Sequence, residues 1–200
     1  MDTLLRLSHG IDAMSRFIGK FIIWLVLAAA VISAANAVAR KAFSIGSNAF
    51  LEIQWYLFGA VFLLGAGYTF LQNAHVRIDV LAGKLSMRTR MVIDIVGIIV
   101  FLLPMCWFMI QFAWPVVMGA YVSGEMSSNS GGLIRWPVYA LVPLGFGLLG
   151  LQAISELIKR FAFLQGKGPN PLLHGAHDGN EAHDAEHAHL HPDNAGEVQK

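Results

Sequence analysis

Residues 91–117 read MVIDIVGIIVFLLPMCWFMIQFAWPVV, twenty-seven positions with a single charged side chain, Asp94. A helix needs roughly 20 such residues to cross a bilayer, and an isolated strand cannot satisfy its backbone in lipid. The stretch therefore predicts a transmembrane helix, long enough to tilt, with Pro104 kinking it near the middle. Three further apolar stretches, at about 21–39, 50–71 and 136–158, are long enough to cross as well, and Pro143 predicts a kink early in the last. The expected fold class is all-α integral membrane. Four transmembrane helices occupy 21–163, preceded by an N-terminal amphipathic interfacial helix (1–20) and followed by a disordered C-terminal tail (164–200).

Composition points the same way. The chain has 200 residues, 56% of them apolar and 14% charged, and a mean hydropathy of +0.56, whereas a soluble domain averages ~45–50% apolar and ~25% charged. This argues against an ordinary soluble enzyme and against a disordered chain. A net charge of +1 supplies no field that would recruit nucleic acid. The single cysteine, Cys106, permits neither an internal disulfide nor a cysteine-based metal cage.

Outward from the spans, Leu4, Leu7, Ile11, Met14 and Ile18 recur at spacings of three and four, with Arg6, Asp12, Arg16 and Lys20 between them. This is the pattern of an amphipathic helix, lying in the membrane interface or leading into the first span. Ala35-Asn36-Ala37 resembles a signal-peptide cleavage site, but the apolar run is long and twenty residues precede it, so an uncleaved anchor is expected. With four spans, both termini and the middle loop share one side. That side carries Arg6, Arg16, Lys20, Arg77, Lys84, Arg88, Arg90, Lys159, Arg160 and Lys167; the other carries Arg40, Lys41 and Arg135. The bias places both termini in the cytoplasm.

Candidate chemistry is sparse. Glu52 and Gln54 open the second span, Asp94 lies one turn into the third, and Glu156 is near the end of the fourth. An intramembrane carboxylate is costly to bury, but at a span end it can reach headgroups or water. Glu52 therefore reads as an interfacial or inter-subunit hydrogen-bonding group, with a proton or ion site as the competing role. Trp55 and Tyr56 fit an aromatic interface belt, and Gly59, Gly65 and Gly67 fit close helix packing in lipid. In the middle loop His75, Arg77 and Asp79 alternate with apolar residues, without a nucleophile that would make them catalytic. Loop 125–132 is turn-rich and either connects two spans or touches a soluble partner. Six of eight histidines (His174, His177, His183, His187, His189 and His191) lie in the tail among acidic residues, a loose metal binder at most. No span contains a histidine, which excludes a b-type haem reading.

Several of these pieces, in this order, resemble the DctQ family, the small membrane subunit of TRAP (tripartite ATP-independent periplasmic) transporters. They are Glu52-x-Gln54-Trp55-Tyr56; Asn73-x-His75-Val76-Arg77-Ile78-Asp79-Val80; Asp94; Ser127-Ser128-Asn129-x-Gly131-Gly132-Leu133-Ile134-Arg135-Trp136-Pro137; and Pro143-Leu144-Gly145-Phe146 through Leu151-Gln152 to Ser155-Glu156. The resemblance covers roughly residues 10–163; the histidine-rich tail lies outside it.

The resemblance implies a non-enzymatic scaffold in the bacterial inner membrane, without a cofactor or a metal site. Its partners would be a large membrane subunit of the DctM family, a periplasmic substrate-binding protein of the DctP family, and membrane lipids, with no nucleic acid. The large subunit would carry the substrate and sodium sites for uptake of an organic acid. Glu52, Gln54, Trp55, His75, Arg77, Asp79 and Asp94 would be inter-subunit or structural residues, and Glu125 and Arg135 candidates for periplasmic docking. Two other readings compete: a self-contained proton-coupled exporter of four helices acting as a homodimer, and a metal-handling protein using the tail.

Overall fold

The structure, a computed structural model, describes residues 2–43, 48–72 and 87–165. Its elements are helices: α1 (Asp2–Phe43), α2 (Asn48–Leu71), α3 (Met87–Gly97), a π-helical turn (Ile98–Leu102), α4 (Leu103–Ser123) and α5 (Trp136–Leu164). Four helical rods are long and apolar enough to cross a membrane: α1, α2, the combined α3–π–α4 rod, and α5. The expected tail lies, from residue 166 onward, outside the described residues, as do His75, Arg77 and Asp79.

The expected arm and the first span form one uninterrupted helix. At 1.5 Å per residue, the 42 residues of α1 extend about 63 Å, twice the roughly 30 Å hydrocarbon core. The face that α1 turns inward is not its apolar one. Ser8, Asp12, Ser15 and Gly19 are buried, while Leu4 and Leu7 face outward. Small polar residues at i, i+4, i+7 and i+11 make a stripe that lets a neighbouring helix come close. Large side chains gain nothing from turning inward when lipid is as apolar as the core.

The third rod accommodates Pro104 with a local change of helix type. The proline ring clashes with the carbonyl of residue i−4. Immediately ahead of it the helix widens to a π-turn, with the Leu103 N–H bonded to the Ile98 carbonyl. The rod thus continues through the proline. Pro115 and Pro143 are likewise carried inside helices.

α5 is the hub, packing against α1, α2 and α4. A Cβ at Gly145 would lie 2.7 Å from the Leu63 carbonyl oxygen, and one at Gly19 would lie 2.6 Å from the Tyr68 ring. These two glycines set the α2–α5 and α1–α2 approaches. Gly59, Gly65 and Gly67 make looser contacts, at 3.4 Å or more.

Candidate functional site

The bundle carries a polar assembly at each end. At the end holding the N-terminus, α1 and α5 meet along matched polar stripes. Ser15 Oγ donates to Gln152 Oε1 at 2.6 Å, and Gln152 Nε2 donates to Asp12 Oδ1 at 2.9 Å. Ser155 Oγ donates to the same Asp12 oxygen at 2.8 Å, and the Ser8 and Ser155 hydroxyls lie 2.8 Å apart. Lys159 Nζ reaches Asp12 Oδ2 at 3.0 Å and also pairs with Glu156. Glu156 pairs in turn with Arg160, whose Nε contacts Asp94 Oδ2 at 3.3 Å.

The charges alternate along this chain: Asp12, Lys159, Glu156, Arg160, Asp94. Glu156 and Arg160 are each only 1% exposed. Removing water from such groups is tolerable only when each keeps an opposite charge and its hydrogen bonds. Among the described residues, no buried side-chain polar atom is left without a partner. Geometrically this assembly is a clamp, tying α1 and α3 to α5. The cavity beside it, about 550 Å3, is lined mainly by apolar residues such as Ala66, Phe70 and Leu149. Its two charged lining groups, Asp94 and Arg160, are paired with each other.

At the opposite end, Glu52 near the start of α2 closes the loop between α4 and α5. It accepts from Ser127 Oγ, from Asn129 Nδ2 at 2.7 Å and from the Leu133 N–H at 2.7 Å. Gly124, at φ 64°, ends α4, and Gly131, at φ 72°, turns the loop back. Both positions favour glycine because a Cβ is strained there. A bridge between Met126 and Ile134 and the Tyr56 hydroxyl on the Ile134 carbonyl (3.2 Å) complete the fold of the loop. Glu125 and Arg135 pair at 3.2 Å on its surface. Hydrogen bonding to Tyr139, and then to Glu125, pushes the Arg135 pKa above its already high ordinary value, so the guanidinium is a permanent cation.

Of the residues singled out from sequence, Glu52 is a loop anchor and Asp94 is the outer end of the clamp. Trp55 points away from the bundle, 75% exposed, and Gln54 has no hydrogen-bond partner among the described residues. Sequence reasoning missed Ser8, Ser15, Gln152 and Lys159 as a unit. The available signal was the i, i+4, i+7 spacing of small polar residues in α1 beside the Gln152, Ser155, Glu156, Lys159 spacing in α5. Among the described residues no three His, Cys, Asp or Glu side chains converge as metal ligands.

A family model described as "Tripartite ATP-independent periplasmic transporters, DctQ component" matches residues 29–163. No curated protein and no solved structure matches the chain.

Proposed function

The chain belongs to the DctQ family of tripartite ATP-independent periplasmic transporter components, and from that premise we propose that it is a fixed membrane frame for a larger, moving transport subunit. A moving transport domain needs an anchor, or it drags its neighbours through lipid. The observation that carries this reading is the clamp. Its carboxylates and cations are spent on one another and on joining α1, α3 and α5, which favours a rigid body over an ion path. Glu52, the carboxylate a proton-coupled exporter would need, is committed to three donors of its own loop.

In this reading the large subunit performs sodium-gradient-driven uptake of an organic acid, and loop 124–135, with Glu125 and Arg135, helps dock the periplasmic substrate-binding protein. Both termini face the cytoplasm of a bacterial inner membrane, consistent with the lysine and arginine bias. The middle-loop residues His75, Arg77 and Asp79 hold the large subunit.

The test is a mild-detergent pull-down of the tagged chain from native membranes. Stoichiometric recovery of a larger polytopic permease is the expected result. Recovery of the chain alone, or as a homodimer, overturns the proposal and returns the exporter reading.

A further inference from the structure

We propose that the outward strip of α4 centred on Gln111 receives a transmembrane helix of the larger membrane subunit, one that offers hydrogen-bond acceptors at mid-depth; the inference rests on the frame reading above. The inward side of α4 is Cys106, Val117 and Ala120, and a Cβ at Gly150 of α5 would lie 3.7 Å from Cys106 Cβ. At 3.6 residues per turn Gln111 falls on the opposite side, and it is exposed. Trp107 and Trp114, 62% and 55% exposed, lie one turn before and after it on the same face. The Gln111 amide and both indole N–H groups have no hydrogen-bond partner among the described residues.

Depth makes this informative. Tyr121 and Trp136 form an edge-to-face pair, with centroids 5.5 Å apart, at the loop end, where aromatic residues mark the headgroup level. Gln111 lies ten residues further in, about 15 Å along the helix, or half of a roughly 30 Å hydrocarbon core. From there the side chain cannot reach water, and an amide left unpaired in hydrocarbon is costly. Trp24 and Trp55 are equally exposed, but they sit near span ends, where the interface belt accounts for them. The α4 strip is different: three N–H-bearing side chains at membrane depth, set among Phe108, Pro115 and Met118. What satisfies them is a neighbouring helix bearing hydroxyls, amides or a carbonyl freed by a helix break, packed against the two indoles.

The test combines photo-crosslinking with affinity. p-Benzoyl-phenylalanine replaces Trp107, Trp114 or, as a control on α2, Phe62 (80% exposed), in membranes containing both subunits. Crosslinks to the larger subunit from positions 107 and 114, and none from 62, are expected. Gln111→Leu is expected to weaken association with that subunit by about 3- to 20-fold, the range set by single interhelical hydrogen bonds in membranes. The thermal stability of the isolated chain should not change, because Gln111 bonds none of the described residues. Unchanged association together with crosslinks from position 62 alone overturns the surface while leaving the frame reading intact. Crosslinks from 107 and 114 to a second copy of this chain overturn it as well. Failure of the wild-type chain to recover any larger subunit removes the frame reading and this inference with it.

Discussion

Replacing Asp12 with leucine strands three donors at once: Gln152 Nε2, Ser155 Oγ and Lys159 Nζ, which converge on one carboxylate at 2.8–3.0 Å. All three end on an ionised carboxylate and are therefore charge-assisted, and removing one partner of such a buried pair costs about 3–5 kcal/mol. Lys159 keeps Glu156 and is partly exposed, at 19%, which trims its share. The expected loss is about 3–4 kcal/mol. Asp12→Asn keeps an acceptor for Gln152 and Ser155 and loses only the charge opposite Lys159, so about 1–2 kcal/mol is expected. The assay is SDS-titrated unfolding in mixed micelles, followed by far-ultraviolet circular dichroism. Adding Lys159→Met to Asp12→Leu should deepen the loss, because Lys159 also pairs with the buried Glu156. An Asp12→Leu chain as stable as wild type would refute the view that this clamp holds α1 to α5.

Other perturbations separate local from global roles. Gly145→Val forces a Cβ to within 2.7 Å of the Leu63 carbonyl and should cost about 1–3 kcal/mol by overpacking, whereas Gly147→Ala, with nothing within 4 Å, should be nearly neutral in the same unfolding assay. Gly124→Ala, at φ 64°, should cost about 1–2 kcal/mol from left-handed backbone strain; Gly119→Ala serves as the comparison. Glu52→Leu should leave the helices intact but release loop 124–135, read as faster hydrogen exchange at the Leu133 and Ser127 amides; unchanged exchange would show that the loop holds itself.

The four spans were legible because hydrophobic length is a local property, readable within any window of twenty residues. Glu52 was legible as a hydrogen-bonding group because a carboxylate at a span end has few other uses. Its actual partners were not, since they lie 75 to 81 positions away in a loop whose turns are set by Gly124 and Gly131. The clamp was obscured for a further reason. The alternation of Leu4, Leu7, Ile11 and Met14 reads in water as the face that turns inward. In lipid the preference inverts, and the small polar face of Ser8, Asp12 and Ser15 is the buried one. Lys159 and Arg160 counted towards topology, yet both are held in ion pairs, so a tally of basic residues conceals their structural work. The π-turn ahead of Pro104 had no cue beyond the proline itself.

The clamp also bears on how the chain is made. Ser8 and Ser155 are separated by 147 positions, and ribosomes add roughly 5–20 residues per second. Ser8 therefore waits roughly 7–30 s after its own addition before Ser155 is added. Throughout that interval Asp12 has none of Gln152, Ser155 and Lys159 to receive it, and the polar stripe of α1 has to stay hydrated at the membrane surface. Seating the polar stripe of α1 against α5 therefore follows the synthesis of α5, and a chain truncated before α5 leaves Asp12 without these three partners.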